Sequence, residues 1–439
     1  MHIPQSMPAD RTAPSIPVTE AAVPARNWYA LLVLTLISAC HFLDRTMISI
    51  IVEPVRKEFL LNDTQVGLLT GLAYGATFAI AGIPIGMLID RMNRVRLLAA
   101  LVCIWSGMTA LAGLATSYTH LLFTRMAVGG SEAGGAPTSL SLISDFFPPS
   151  KRSTAVGYFF LATGTGAVVS VFIGGYMTAH FGWRTAMMVA GAPGIVLALL
   201  FVLTVREPKR GAMEADRGKN VVKPAGVKEV LRYVSTNDAI RNLLLGVCFA
   251  AGGVSTIAAW LPAFMMRFHG FDIKEAGFSV ALAGGIFASL GSLLGGFLSD
   301  KLASANARRR MDLAMGAVLL AAVFSVFAMN ASTPTMALVL LCATMMCIFV
   351  VFPAAYGNML GITPPHMRGT TSATLQVCSN LVGYGMGPLA VGMLSDLYGG
   401  PSSLQLAIMT GAGVSLPLAA LCFARSAAAC DRLLGKRPL

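Results

Sequence analysis

Two carboxylates and two guanidinium groups occur inside stretches of this sequence that are otherwise apolar. Asp44 and Arg45 lie in the first apolar stretch, and Arg125 and Glu132 lie in the fourth. A charged side chain is costly inside a membrane-spanning segment, and it marks a functional site by default. Because the four formal charges cancel, we expect the set to stay neutral until a proton or an ion binds.

Spacing places these residues on common helix faces. His41 precedes Asp44 by three positions and Arg45 by four, while Arg125 and Glu132 are seven positions apart, so each set shares one face of a helix. We interpret Asp44, Glu132 and His41 as the groups that exchange a proton. Burial disfavours an ionised carboxyl group and a neighbouring arginine favours it. A carboxylate that takes up a proton would therefore free an arginine to bind an anion.

A purely structural interpretation of the same residues stays open. The four charges could form ion pairs that hold the first and fourth helices together without any role in chemistry. His41 could be a packing residue that forms a hydrogen bond between helices, as polar side chains in membrane bundles commonly do. The loss of proton-dependent activity on replacing Glu132 would distinguish function from structure.

The composition places these groups in a membrane protein. Of 439 residues, 55% are hydrophobic and 12% are charged, with a mean hydropathy of +0.71, whereas about a quarter of a soluble domain is charged. This excludes an ordinary soluble enzyme and a disordered protein. Apolar stretches of roughly 20 residues can cross the hydrocarbon core as helices, and the sequence predicts twelve. Their approximate limits are 28–52, 64–89, 97–117, 119–144, 153–179, 184–205, 241–266, 274–299, 312–330, 334–362, 369–396 and 403–424.

Basic residues are distributed unequally between the two sides of the predicted bundle. With both termini on one side, 25 of the 32 Lys and Arg residues fall on that side and five on the other. The positive-inside rule then predicts cytoplasmic termini, in a multi-pass protein of the plasma (inner) membrane. The same asymmetry explains the net charge of +12 without nucleic acid, and we expect contacts with anionic membrane lipids instead.

The sequence offers no motif for catalysis or for a cofactor. The eight cysteines occur singly and form no CxxC pair, which argues against a metal site or a disulfide framework. None of the glycine runs leads into the Lys-Ser/Thr pair of a phosphate-binding loop, and neither HExxH nor GxSxG occurs. We therefore predict no enzyme activity, no cofactor and no bound metal.

The two halves of the chain repeat each other. The segment from Gly86 to Arg91 recurs from Gly296 to Lys301, and the Pro-Pro-x-x-Arg motif ending at Arg152 recurs at Arg368. Duplicated bundles with a substrate site near the midplane between them are typical of secondary transporters. The predicted divisions are an amino-terminal tail over 1–26, a six-helix bundle over 27–205, a linker over 206–240, a second six-helix bundle over 241–427 and a tail over 428–439.

Several motifs carry a resemblance to a known family. The segment from Gly86 to Arg96 resembles the cytoplasmic loop signature of the major facilitator superfamily, with Asn93 where a glycine is usual. Within that superfamily, the spinster family of lipid transporters is similar at three places, which are Asp44-Arg45, the stretch 129–148 and the stretch 205–208. Organic-anion/proton symporters share the Asp-Arg pair and the Gly-x-x-Glu-Ala motif that contains Glu132. The resemblance covers about residues 27–427.

The resemblance implies a fold and a gate. The fold is all-α, with twelve transmembrane helices in two pseudo-symmetric six-helix bundles that alternate in their access to the two sides. In this superfamily the charged loop after the second helix pairs helix ends across the cytoplasmic face. The resemblance therefore implies a gating latch made of Asp90, Arg91, Arg94 and Asp300.

The substrate-binding residues are expected on both halves. The resemblance places the first and fourth helices at the cavity, so that Arg45 and Arg125 would bind the substrate's anionic group. The second half has no intramembrane charge, and its candidates are the neutral side chains Tyr356, Asn380, Trp260 and Tyr384, each of which could equally be packing between helices.

The predicted function is proton-coupled secondary active transport of an amphipathic anionic or zwitterionic substrate, such as a lysolipid or a lipid like sphingosine-1-phosphate. The alternative is symport of a water-soluble organic anion, such as a sugar acid or an aromatic carboxylate. Symport and antiport both stay open, and a receptor with this fold would have the same sequence features. We expect a monomer, because each chain contains its own cavity between the halves.

Overall fold

The computed structural model describes residues 23–210, 213, 226–303, 307–364 and 367–434, and these ranges contain helices and no strands. Residues 1–22 of the predicted amino-terminal tail, part of the predicted linker and the last five residues of the predicted carboxy-terminal tail lie outside the described residues. The first half of the chain contains the helices α1 Ala25–Phe59, α2 Asp63–Gly67, α3 Ala73–Arg91, α4 Arg94–Ala112, α5 Tyr118–Glu132, α6 Gly135–Phe146, α7 Pro149–Val171 and α8 Thr178–Thr204.

The second half repeats this arrangement after a short amphipathic helix, α9 Val227–Thr236. Its helices are α10 Asp238–His269, α11 Ile273–Val280, α12 Ala288–Ala303, α13 Ala307–Met329, α14 Pro334–Ile362, α15 Arg368–Cys378, α16 Met386–Tyr398 and α17 Ser403–Leu434. Four π-helical segments connect α2 to α3, α7 to α8, α11 to α12 and α15 to α16, and they are Leu68–Leu72, Phe172–Met177, Ala281–Phe287 and Ser379–Gly385.

These helices form twelve spans, which confirms the predicted architecture. Ten helical stretches of the described chain are long and apolar enough to cross a membrane, and one of them, Thr154–Thr204, has 51 residues. This stretch bends at Gly182, where φ is +80°, and it therefore supplies both span 5 and span 6. Span 4 consists of α5 and α6. The helix is interrupted after Glu132, so each piece is too short to cross a membrane alone, and span 4 is therefore not among the ten stretches.

The remaining spans follow the chain. Span 1 is α1, span 2 is α2 with α3, span 3 is α4, span 7 is α10, span 8 is α11 with α12, and spans 9 and 10 are α13 and α14. Span 11 is α15 with α16, and span 12 is α17. Span 12 runs to Leu434, beyond the boundary expected at residue 427, because an alanine-rich segment with high helix propensity packs Ala429 and Cys430 against Ala239.

The two halves close at one end of the bundle and diverge at the other. We call the end where α1 begins and α17 ends the termini end, and the opposite end the far end. On span 2, a Cβ atom added to Gly71 would lie 2.5 Å from the Gly385 carbonyl oxygen of span 11, and one on Gly75 would lie 2.9 Å from the Gly385 Cα. Gly82 and Gly86 lie on the same face of span 2 nearer the termini end, and a Cβ there would meet no atom within 4 Å.

The distribution of buried side chains agrees with this V-shaped arrangement. The largest hydrophobic cluster lies at the far end and combines residues from both halves, including Met47 and Trp260. Two further clusters lie toward the termini end, one within each half, and they contain Trp105 and Phe423 respectively. A space between the halves therefore opens toward the termini end.

Candidate functional site

A group of polar side chains from spans 1, 2 and 4 lies beside the contact between spans 2 and 11. We call it the central cluster, and it contains His41, Asp44, Arg45, Tyr74, Arg125 and Glu132. The Tyr74 hydroxyl donates a hydrogen bond to Glu132 Oε2 at 2.7 Å, and His41 Nε2 lies 3.0 Å from the same oxygen. His41 Nε2 also lies 3.4 Å from the Tyr74 hydroxyl oxygen. One oxygen of a fully buried carboxyl group thus has two partners that can carry a proton.

The two arginines contact aromatic rings. The Arg45 and Arg125 Cζ atoms each lie 5.5 Å from the centroid of the Tyr74 ring. Arg45 Cζ also lies 4.3 Å from the centroid of Tyr384, a residue of span 11, so this guanidinium group lies between the two halves. These distances are within the range of cation–π interactions. In the described part of the chain, neither arginine lies within 4.0 Å of a carboxylate oxygen.

This arrangement differs from the structural interpretation of the sequence, in which the four charges form ion pairs between the first and fourth helices. Asp44 and Arg45 are adjacent in sequence, and consecutive side chains of a helix point about 100° apart. Arg45 therefore points toward Tyr384 of span 11, whereas Asp44 is buried within the first half near Arg125 and Glu132. Asp44 Oδ1, Arg125 Nε and Glu132 Oε1 are buried atoms without a hydrogen-bond partner among the described residues.

Glycine residues determine how closely the spans of the cluster approach each other. A Cβ atom on Gly129 of α5 would lie 2.5 Å from the carbonyl oxygen of Tyr74. Only a glycine permits this contact, which brings the backbones of α5 and α3 together one turn before Glu132. Gly166 of α7 has the same role against α1, because a Cβ there would lie 2.5 Å from the carbonyl oxygen of Ala39. The carboxyl group of Glu132 is therefore held at hydrogen-bonding distance from Tyr74.

The four residues predicted in the second half occupy different places. Tyr384 joins the central cluster through Arg45. Tyr356, which is partly exposed, donates to Gln376 Oε1 at 3.3 Å, and the buried Asn380 amide donates to the Gln376 carbonyl oxygen at 3.0 Å. Trp260 is fully buried in the far-end core, where its indole nitrogen donates to the Pro388 carbonyl oxygen at 3.1 Å. The structure thus places Trp260 among packing contacts, away from the other three.

The residues of the predicted latch lie at the termini end, where the halves are apart. Asp90, Arg91 and Asp300 have exposed side chains there. Arg94 is buried and donates to Asp145 Oδ2 at 2.6 Å and to Glu207 Oε1 at 2.7 Å. Both acceptors belong to the first half, so Arg94 connects the start of α4 to the end of α6 and to the segment that follows α8.

A second network of charges, at the far end, connects the two halves. Arg267 of α10 contacts both Asp63 carboxylate oxygens at 3.0 Å and lies 2.8 Å from Glu53 Oε2. Asp396 of α16 accepts hydrogen bonds from the backbone N–H groups of Asp63 and Thr64 at 3.0 and 2.8 Å. We call these five residues the far-end clamp, since Arg267 and Asp396 hold the corner between spans 1 and 2.

Sequence reasoning missed Tyr74 and the far-end clamp. Tyr74 is a single aromatic residue in an apolar span, and its one signal is the glycine at position 75, which completes the Gly67, Gly71 and Gly75 series at intervals of four. The acidic residues of the clamp fall at span ends, where carboxylates are ordinary. Their partners lie more than 200 positions away, and the pattern of a single sequence does not reveal such pairs.

Comparisons with known proteins find similarity to membrane transport proteins. The profile of the Major Facilitator Superfamily matches residues 34–388. A crystal structure of a bacterial homolog of the human lysosomal transporter Spinster, in an inward-facing and unoccupied conformation, superposes with a TM-score of 0.81 at 30% identity, covering 94% of this chain and 99% of that one.

Two relatives of known name are also similar. An MFS-type efflux pump of Mycolicibacterium smegmatis is 28% identical over 378 residues, with 85% of each chain covered. The hexuronate transporter of Escherichia coli K12 is 26% identical over 315 residues, which cover 67% of this chain and 71% of the relative.

Proposed function

Because the chain belongs to the major facilitator superfamily, whose members are membrane transporters, we propose that it is a proton-coupled carrier of an amphipathic anion or zwitterion of the lysolipid class. The observation that carries the proposal is the central cluster. Two guanidinium groups, neither with a carboxylate partner among the described residues, flank one tyrosine ring, beside a carboxyl group that contacts histidine and tyrosine. The cluster lies beside the contact between spans 2 and 11.

Electrostatics supplies the coupling between proton and anion. At an effective dielectric constant near 20, a contact ion pair is worth about 4 kcal/mol before desolvation is counted. With Glu132 and Asp44 ionised, the cluster is neutral and an arriving anion meets two carboxylates. When Glu132 takes up a proton, the net charge becomes +1, and Arg45 and Arg125 can bind an anionic head group. Loss of that proton restores the carboxylate and favours release of the anion.

The shape of the space supports a substrate with an apolar part. A Cβ atom on Gly82 or Gly86 of span 2 would meet no atom within 4 Å, which supports a gap between the halves near the termini end. We place the head group on Arg45 and Arg125, and the acyl chain in this gap. The 30% sequence identity with a bacterial homolog of the transporter Spinster over nearly the whole chain agrees with the resemblance to the spinster family of lipid transporters, on which the choice of a lipid cargo rests.

We infer from the distribution of charge the side of the membrane to which the structure opens. Because Lys and Arg residues are in excess on the side of the termini, we place the termini end in the cytoplasm, and we propose the plasma membrane as the location. This arrangement is then the inward-open state of an alternating-access cycle, and one chain forms the complete pathway. In the outward-open state the termini end closes, and Asp90 and Arg91 come to face Asp300 as the latch, while Arg94 holds the first half together.

A second candidate is symport of a water-soluble sugar acid, which the similarity to a hexuronate transporter favours. The same arginines would bind a sugar carboxylate, and the same protonation would drive binding. The tyrosine hydroxyl groups and Asn380 would then contact sugar hydroxyl groups in place of an acyl chain. The two candidates differ in cargo and share the mechanism.

Proton movement into proteoliposomes tests the proposal. Purified protein is reconstituted with an enclosed pH-sensitive dye, and lysophosphatidylglycerol, sphingosine-1-phosphate, D-glucuronate or benzoate is added outside. We expect acidification with the lipids in the wild type and none in Glu132→Gln. Glu275→Gln is the matched control, because it removes the same charge from an exposed capping residue of α11.

Each result has a defined meaning. Acidification with D-glucuronate alone would replace the lipid cargo with a sugar acid and keep the mechanism. Proton movement in Glu132→Gln equal to that of the wild type would refute proton coupling at this site. If none of the four compounds changes the internal pH in the wild type, a structural role for the buried charges would be favoured.

A further inference from the structure

We infer that Tyr74 is a positioning residue that transmits the protonation of Glu132 to the two arginines, an inference that rests on the proposed function. Tyr74 is the one side chain in the central cluster that contacts both kinds of group. Its hydroxyl donates to Glu132 Oε2 at 2.7 Å, and its ring lies 5.5 Å from both Arg45 Cζ and Arg125 Cζ.

The rigidity of the side chain makes these contacts interdependent. The hydroxyl and the ring form one planar group, so the orientation that satisfies the hydrogen bond also sets the faces that the arginines contact. A hydrogen bond from O–H to an ionised carboxylate is about twice as strong as one to a neutral acceptor. Protonation of Glu132 therefore weakens the bond that orients the ring, and both guanidinium groups gain freedom to turn toward an anion.

The backbone of Tyr74 lies at the contact between the two halves. On one side, Gly129 of α5 lies against its carbonyl oxygen. On the other side, Gly75 lies so close to span 11 that a Cβ would be 3.0 Å from the Asn380 carbonyl oxygen and 2.9 Å from the Gly385 Cα. A movement of the halves relative to each other therefore displaces the residue that joins the proton-exchanging groups to the arginines.

The charged and titratable groups around Tyr74 come from three directions. Span 1 contributes His41, Asp44 and Arg45, span 4 contributes Arg125 and Glu132, and span 11 contributes Tyr384 next to Arg45. His41 contacts the hydroxyl oxygen itself, and it can accept the hydrogen bond when Glu132 is protonated. A test of Tyr74 must therefore separate its hydroxyl from its ring and leave these groups in place.

Two substitutions make that separation. Tyr74→Phe keeps the ring beneath the arginines and removes the hydroxyl, whereas Tyr74→Leu removes both. We expect Tyr74→Phe to bind the anion within about threefold of the wild type while the pH dependence of binding becomes flat. We expect Tyr74→Leu to bind about tenfold more weakly than Tyr74→Phe at every pH, since two cation–π contacts are lost. Tyr158→Phe, at an exposed tyrosine outside the cluster, is the control.

Binding is measured by isothermal titration in detergent from pH 5.5 to 8.5, with whichever of lysophosphatidylglycerol or D-glucuronate moves protons in the wild type. Glu132→Gln is measured in parallel, because it removes the acceptor of the same hydrogen bond and leaves the ring. Thermal unfolding confirms that each variant is folded. If Tyr74→Leu does not fold, Tyr74→Met takes its place as the variant without a ring.

The outcomes separate the inference from the proposed function. If Glu132→Gln keeps the pH dependence of the wild type, the proposed proton coupling fails and the inference fails with it. If Glu132→Gln loses the pH dependence and Tyr74→Phe keeps it, the proposed function stands and the role of the hydroxyl is refuted. Equal affinity of the Phe variant and the variant without a ring would refute the role of the ring.

Discussion

Asp396 of the far-end clamp offers a sharp test of how the two halves are held. This residue of the second half caps the start of span 2 in the first half, where it accepts hydrogen bonds from two backbone N–H groups and from the Thr64 hydroxyl at 2.6 Å. These N–H groups are unpaired donors of a helix start, and the carboxylate also complements the helix dipole. Asp396→Asn removes the charge and turns one acceptor into a donor that faces N–H groups.

The size of the effect follows from these contacts. Hydrogen bonds to a charged group contribute roughly 1.5–3 kcal/mol each when buried, but Asp396 is exposed and solvent reduces that contribution. We expect a net loss of about 1.4 kcal/mol, which corresponds to a tenfold change in an equilibrium constant. Arg267→Gln would remove the basic partner at 2.8–3.0 Å from the buried Glu53 and Asp63 and leave Arg56, at 3.3 Å from each, to compensate both carboxylates, which carries a penalty. That penalty would affect folding as well, and Asp396→Asn is therefore the better probe.

Electron–electron distance measurements between two spin labels can detect this shift. Cysteines at Leu60 and Ser402 place one label on each half at the far end, where both side chains are exposed. In the parent protein we expect one dominant short distance between the labels. In Asp396→Asn we expect the population of molecules with a longer distance to be about tenfold larger.

Asp272→Asn is the matched control. Asp272 is also an exposed residue at the far end that caps a helix, and it accepts a hydrogen bond from the Glu275 N–H at 2.8 Å. Unlike Asp396 and its partners, Asp272 and Glu275 belong to the same half, so this cap does not join the two halves. An unchanged distance distribution in Asp396→Asn, or an equal change in Asp272→Asn, would refute the clamp.

Three further predictions concern other contacts of the fold. Gly71→Ala should lengthen the same far-end distance because its Cβ would lie 2.5 Å from the Gly385 carbonyl oxygen, whereas Gly82→Ala, with no atom within 4 Å, should not. Arg94→Gln removes the 2.6 Å ion pair with Asp145 and the 2.7 Å ion pair with Glu207, so we expect a destabilisation of about 3 kcal/mol and a lower melting temperature in detergent, with the exposed Arg96→Gln unchanged. Asp90→Asn should lower the turnover number and leave the order of substrates unchanged, and a new substrate order at normal turnover would contradict the latch.

The sequence allowed much of the central cluster to be predicted, because local geometry fixes it. Residues three, four or seven positions apart share a helix face, and the cost of burying charge makes such faces meet each other. Hence His41, Arg45, Arg125 and Glu132 do lie together. The choice of partners was not predictable, because Tyr74 comes from a third span. Its approach depends on Gly129, whose role is visible only once α5 and α3 are seen to touch.

The far-end clamp shows a different limit. Arg267 and Asp63 are 204 positions apart, and Asp396 and Asp63 are 333 apart. Each of these residues alone fits the ordinary polar end of a span, and no periodicity connects one span end to another. The same limit applies to Arg94. The resemblance of its loop implied a latch residue, while the fold buries it between Asp145 and Glu207.

In the proposed alternating-access cycle, the far-end clamp and the central cluster act on one equilibrium, between a state open at the termini end and a state open at the far end. If about 99% of the protein is open at the termini end, a tenfold weakening of the clamp lowers that share only to about 91% and raises the opposite state about tenfold. Apparent affinity scales with the fraction in the competent state. Asp396→Asn should therefore leave binding from the termini side almost unchanged, and it should strengthen apparent binding from the far side severalfold. Inhibition by an impermeant substrate analogue, added to either side of oriented vesicles, measures the two affinities separately. Equal changes from both sides would show that Asp396 acts on the binding site itself.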